Sequence, residues 1–231
     1  MTGLRHGGRK RAPAVSGAGA ALASAISAGA PQASVTSAGG VITLKGAETQ
    51  TAKGVKLAAG AYVFRRTAGD GFATFTVNDG AGSPVYVNML DAFTETFLLI
   101  VDGNPVKPGD FAIEIDGTGA WTVTLTKAVG EGAAALPAVL AGAERTTVVS
   151  KPFKAVAGTL NISYSYKGEP TGTGTLTICD VATGKALPMT KMMYAGNASG
   201  GFTVPVAAAG VYIAQTIFPL KSGGGEVKIA Q

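Results

Sequence analysis

Thr74-Phe75-Thr76-Val77-Asn78-Asp79 returns later in the chain as Thr175-Leu176-Thr177-Ile178-Cys179-Asp180, and these two stretches decide the fold. In each, large apolar residues alternate with threonine, so the apolar side chains of an extended chain all point to one side, the pattern of a strand with one buried face. An aspartate closes both, where a short carboxylate bonds its local backbone and turns the chain. The alternation recurs in Phe111-Ala112-Ile113-Glu114-Ile115 and in Trp121-Thr122-Val123-Thr124-Leu125. Asp70-Gly71, Asp79-Gly80, Asp102-Gly103-Asn104-Pro105, Pro108-Gly109 and Asp116-Gly117 punctuate these runs as turns, glycine supplying the positive φ that tight hairpins require.

The repetition reaches further. Lys53-Gly54-Val55-Lys56-Leu57-Ala58-Ala59-Gly60 aligns with Lys151-Pro152-Phe153-Lys154-Ala155-Val156-Ala157-Gly158, Gly109–Ile113 aligns with Gly210–Ala214, and Val123-Thr124-Leu125 with Val227-Lys228-Ile229. The segments keep their order and nearly constant spacing, which is the mark of a duplicated unit. Each copy has room for about seven or eight short strands with frequent turns, so the expected fold is all-β: two tandem antiparallel β-sandwiches, of jelly-roll or immunoglobulin-like kind. The expected division is an N-terminal arm over residues 1–40, a first sandwich over 41–127, a linker over 128–145 and a second sandwich over 146–231. The linker carries Gly130, Gly132, Pro137 and Gly142 around three successive alanines. It reads as a small-residue connector with at most one helical turn, which would leave the angle between the sandwiches to be set by partners.

Composition agrees. The chain has 231 residues, 46% hydrophobic and 14% charged, with 34 glycines and a mean hydropathy of +0.29. Low charge and positive hydropathy exclude a wholly disordered chain. Much of the hydrophobic count is alanine, so the cores are thin, as two-layer sandwiches allow. No run of large apolar residues is long enough for a membrane-spanning helix.

The formal charge of +5 is unevenly placed. Arg5, Arg9, Lys10 and Arg11 all precede the first acid, Glu48; with those four set aside, bases exceed acids by a single residue. The strand-rich body is therefore nearly neutral and offers no broad basic face for nucleic acid. The Gly/Ser/Ala-rich arm reads as flexible, its four cations placed to meet an acidic neighbour, whether a protein surface or nucleic acid. The alternative reading of residues 1–33 is a secretory signal, since a basic start, an Ala-rich stretch and small residues before Ala33 imitate one.

Catalytic apparatus is sparse. The single histidine, His6, lies in the arm, so the usual base for an activated nucleophile is missing. Cys179 reads as a structural thiol in a strand whose Leu176 and Ile178 face the other way. The acids cluster at turns, which explains them without a metal; calcium in one of those loops is the alternative. Gly117-Thr118-Gly119 and Gly223-Gly224-Gly225 adjoin strands and lack the lysine of a phosphate loop, so they read as hairpin turns. Trp121 alternates with Val123 and Leu125 and belongs to a core. Tyr164 and Tyr166 share one strand face and are the expected exposed aromatic contacts. Asn161-Ile-Ser163 and Asn197-Ala-Ser199 match the glycosylation triplet. No catalytic, cofactor-binding or metal-binding residue is expected, and no cofactor.

The repeated Lys-x-x-Lys-x-x-Ala-Gly, the Asp and Gly punctuation between strands and the terminal arm give the chain a resemblance to accessory structural proteins of tailed-phage virions, the decoration, cement and related head or tail fittings. That resemblance implies a non-enzymatic subunit, located in the virion, that binds neighbouring subunits through its arm (Arg5, Arg9, Lys10, Arg11) and sandwich surfaces, as a homo-oligomer against a capsid or tail protein. No residue roles carry over from it. The competing expectation is a secreted or cell-surface bacterial module whose two sandwiches hold a surface glycan or a protein.

Overall fold

The computed structural model describes residues 32–68, 73–90, 96–171, 173–188, 191–193 and 198–231. Eighteen strands follow one another: β1 (Ser34–Ala38), β2 (Val41–Ala47), β3 (Gln50–Leu57), β4 (Gly60–Ala68), β5 (Ala73–Asn78), β6 (Pro84–Leu90), β7 (Thr96–Val101), β8 (Gly109–Asp116) and β9 (Ala120–Lys127), then β10 (Ala138–Gly142), β11 (Thr147–Val149), β12 (Phe153–Ala155), β13 (Gly158–Tyr166), β14 (Gly174–Asp180), β15 (Lys191–Met193), β16 (Ser199–Val206), β17 (Gly210–Ile217) and β18 (Gly225–Ala230). Among the described residues there is no helix.

The strands form two sandwiches of identical connectivity. In the first, one sheet runs β1-β2-β9-β4-β7 and the other β3-β8-β5-β6; in the second, β10-β18-β13-β16 faces β11-β17-β14-β15, with β12 also on β17. Apart from β1, each strand of the first half has a counterpart in the second: β10 takes the place of β2, β11 and β12 together that of β3, and so on to β18 for β9. Chain and sheet alternate so that two four-stranded sheets close over one another as a jelly roll. Register is kept as well. Phe75 opposes Ile115 and Val77 opposes Ile113, while the corresponding Leu176 opposes Thr216 and Ile178 opposes Ala214. Thr216 stands where the first half has an isoleucine; it is fully buried, and its hydroxyl donates to the Thr175 carbonyl at 3.0 Å, which satisfies the polar atom inside an apolar core.

Each core follows from the period-two pattern. β8 and β9 bury every second residue, and the first core closes on a phenylalanine cluster in which Phe64 stacks on Phe97 at 4.3 Å and meets Phe75 edge-on at 4.9 Å. Trp121 is buried and donates its indole N–H to the Glu48 carbonyl at 2.8 Å. The second core gathers Leu140, Phe153, Ile162, Leu176, Phe218 and Ile229.

Three expectations about organisation need correction. Residues 128–145 are not merely a connector: Ala138–Gly142 is β10, which buries Leu140 and pairs with β18 over its whole length, because its alternation fits the place that β2 holds in the first half. The arm likewise ends earlier than residue 40, since Ser34–Ala38 pairs with β2.

The angle between the halves is also not left to partners. Gln32–Gln231 form one compact unit, joined by a third apolar cluster: Ala61, Leu98 and Ala128 of the first half bury against Cys179, Val181 and Ile213 of the second. Gln215 reaches across from β17 so that its side-chain oxygen accepts the Leu98 amide at 2.6 Å. The hairpin after β14 seats on the first half at Gly184, whose φ is +74° and where an added Cβ would lie 2.9 Å from the Gly60 carbonyl oxygen and 3.0 Å from that of Val101. In the first half, Gly80 and Gly82 of the equivalent hairpin meet open space.

The seam predicts shared cooperativity. The protein unfolds in one calorimetric transition, and Ile213→Asp, which places an unpaired carboxylate among buried carbons, splits it into two. A second prediction concerns the first core: Phe64→Ala lowers stability by about 3–5 kcal/mol in urea titration, the usual cost of removing a buried aromatic side chain.

Candidate interaction surface

The residues that sequence reasoning placed in an interaction role fall in three settings. Arg5, Arg9, Lys10 and Arg11 lie outside the described residues. Tyr164 is half-buried, and Tyr166 is buried at 7% exposure. Tyr166 is therefore not an exposed contact. The reason is the alternation itself: the face that carries the two tyrosines is the face of Leu160 and Ile162, so they continue the core row, with Tyr166 meeting Phe218 edge-on at 6.4 Å. Burial, followed by the neighbouring Tyr164, pushes the Tyr166 hydroxyl up to about 12. Asn161 is exposed on β13, and Asn197 lies outside the described residues.

Three of the turn acids are occupied by their own backbone, Asp116 accepts the Thr49 hydroxyl, and Asp70 lies outside the described residues. Asp79 accepts the amides of Ala81 and Ser83, both at 2.9 Å; Asp180, its counterpart, accepts the amide and hydroxyl of Thr183 at 2.8 Å; Asp102 accepts the Asn104 amide at 2.8 Å. Asp79 and Asp180 are hairpin caps repeated in both halves, and Asp102 caps the turn that leads from one sheet to the other. Among the described residues no group of three or more histidines, cysteines or acids is arranged to hold a metal. Cys179 is fully buried in the seam, and burial first, then Asp180 and Asp102, pushes its thiol up to about 12. A thiol so held is not a nucleophile at neutral pH.

What the fold does build is a cleft of about 640 Å³ beside the seam, lined from both halves. Arg65 and Lys127 enter it from the first half with the hydroxyl-bearing Thr124 and Thr126, and Lys151 from the second, against one acid, Glu131. Arg65 and Lys151 are exposed and Lys127 is half-buried, its stem lying along Gly60, where a Cβ would stand 2.8 Å from Cε. Three cations and several hydroxyls around one acid suit an anionic or hydroxyl-rich partner more than a cationic one. On a second flank, about 410 Å³ opens between Tyr86 and Phe97 of one half and Thr147, Gln215 and Phe218 of the other.

Sequence reasoning missed these residues because they converge only through the seam. A signal for the seam was present: β7 reads Thr-Phe-Leu-Leu-Ile-Val, continuously apolar where its neighbours alternate, and a strand apolar on both faces is buried on both.

No family model and no curated protein matches the chain. Among solved structures it is similar to a cupin 2 conserved barrel domain protein from Leptotrichia buccalis (8% identity, 90% of this chain and 93% of that one, TM-score 0.27). It is also similar to a conserved protein of unknown function from Pseudomonas aeruginosa PAO1 (12%, 82% and 78%, TM-score 0.24) and to a putative secreted protein from Parabacteroides distasonis (8%, 87% and 87%, TM-score 0.20). Likenesses this remote carry no argument about site or chemistry, and the fold rests on the chain's own strand order.

The buried hydroxyls and thiol predict an alkaline limit. Cys179 has an ordinary value of 9.0, and Tyr86 and Tyr166 of 10.0; all three are raised to about 12 in the folded protein. Groups that hold protons more tightly when folded contribute stability that is complete below their unfolded values and lost as pH rises through the folded ones. The denaturation midpoint therefore falls between pH 9 and 12, and Cys179→Ala removes the onset near pH 9 while leaving the part due to the tyrosines. In the same protein at neutral pH, iodoacetamide modifies Cys179 only after denaturant is added, as read by intact mass.

Proposed function

We propose that the chain is a non-enzymatic assembly protein, a virion subunit of the capsid-decoration, cement or related head or tail kind, which binds neighbouring subunits through its arm and its sandwich surfaces. The observation that carries this reading is the seam: two jelly rolls fixed as one body hold their outer faces at a set angle, which suits a protein whose work is contact. Turn acids engaged by backbone amides and buried titratable groups held neutral support it further. The cationic arm supplies a contact to an acidic neighbour, weakened by salt as exposed charge pairs are.

The test is cryo-electron microscopy of particles from the producing cells with the protein tagged at its C-terminus. Ordered density for two jelly rolls at regular lattice positions is the expected result; a protein found only free of particles overturns it. Replacing Arg5, Arg9, Lys10 and Arg11 together by alanine reduces retention on the particles, and retention of the unaltered chain falls as salt is raised.

The cleft of Arg65, Lys127 and Lys151 favours a second reading, a secreted two-sandwich module binding an acidic surface glycan. It requires the native protein to have lost about thirty N-terminal residues, the span of a secretory signal; the assembly reading requires them retained, and intact mass separates the two.

A further inference from the structure

Every sheet of a sandwich ends in two edge strands, and an edge left open is a template for pairing with another chain. Most edges here are blunted. β3 carries Lys53, Lys56 and a bulge between Ala52 and Val55. β6 begins at Pro84 opposite a register shift, β15 begins at Lys191, and β16 contains Pro205 and the pair Gly200-Gly201. The edge of β7 is closed by the Gln215 side chain on the Leu98 amide, and that of β11 and β12 is interrupted at Pro152, with Ala134 bridging to Phe153.

Two edges have none of these devices. β1 (Ser-Val-Thr-Ser-Ala) and β10 (Ala-Val-Leu-Ala-Gly) are both five residues long, with neither charge nor proline within them. Among the described residues β1 pairs only with β2, and β10 only with β18. Val35 is 36% and Val139 50% exposed. The duplication makes the pair specific. β10 occupies the place of β2, with Leu140 opposite Val227 as Leu44 is opposite Val123. The outer edge of β2 is covered by β1, every residue of which is exposed, while no strand among the described residues lies on the same edge of β10. Among the described residues the second half thus lacks the strand that the first half has, so β10 offers a partner the edge that β2 offers β1, while β1 keeps β2 on its inner edge and has its outer edge open.

We propose that β1 of one copy pairs with the open edge of β10 of a second copy, joining the five-stranded sheet of one molecule to the four-stranded sheet of the next. This rests on the assembly reading and names its partner as the chain itself. The contact uses different surfaces on the two molecules, so it repeats from copy to copy and builds a ring or a filament rather than a closed two-fold dimer.

Blocking each edge with a lysine at an exposed position tests this without entering the core. By sedimentation and light scattering the unaltered protein gains mass above the 22.9 kDa of one chain as concentration rises. Thr36→Lys, which blocks β1, and Val139→Lys, which blocks β10, are each monomeric, with unchanged circular dichroism and melting temperature. Mixed, they form a 1:1 heterodimer and nothing larger, because the first variant retains an open β10 and the second an open β1. A monomeric unaltered protein, a Val139→Lys variant that still self-associates, or a mixture that stays monomeric overturns the pairing. Any of those results together with lattice density in particles leaves the assembly reading standing; edge pairing in a protein never found on particles removes that reading and keeps the pairing.

Discussion

The burial of Leu98, Cys179, Val181 and Ile213 against one another ties the two jelly rolls into one body. Each jelly roll already has a core of its own, so this third cluster adds nothing that either half needs in order to close. What it adds is a fixed relation between them. Transfer of a side chain of this size from water is worth about 1.5–3 kcal/mol, so a handful of such residues outweighs the freedom of two sandwiches joined by a short connector. The cleft of Arg65, Lys127 and Lys151 exists only as a consequence, because its walls come from both halves.

The seam also shows how a duplicated unit becomes asymmetric. Asp79 and Asp180 cap equivalent hairpins with their carboxylates, Asp79 accepting the Ala81 and Ser83 amides and Asp180 the amide and hydroxyl of Thr183, yet the glycines of one turn face open space and Gly184 of the other presses on backbone carbonyls of the opposite half. Thr216 opposite Leu176, where the first half sets Ile115 opposite Phe75, is a second divergence, accommodated by one hydrogen bond. The extra strand β1 is a third. Divergence after duplication has thus fallen mainly on the surfaces between and around the halves, with Thr216 the exception in the core, and has left strand order intact.

Much of this was legible in the chain. Alternation in 73–77, 111–115 and 121–125 located β5, β8 and β9, and the paired segments identified the duplication, because the period of a strand is local and survives without knowledge of its partners. The same local reading sets Tyr166 on the surface, where the structure buries it and half-buries Tyr164. Two aromatics on one face say nothing of which side that face takes; only their phase with Leu160 and Ile162 does, and that phase points inward. It also reads 128–145 as a connector, since Ala138–Gly142 is a short run set behind Gly130, Gly132 and Pro137 and declares itself a strand only through the ladder to β18. The cleft was out of reach for a different reason: Arg65, Lys127 and Lys151 are far apart in sequence, and no pattern within either half announces that the two will meet.

That the two jelly rolls form one body is the claim on which the others depend. Spin labels on cysteines placed at Ala81 and Val156, exposed positions in opposite halves, with the buried Cys179 left unlabelled, report it directly as an interlabel distance by pulsed electron resonance. A single narrow distribution, unchanged when salt is raised, is the result the seam predicts. A broad distribution, or several separate distances, would mean that the halves move independently and would contradict it.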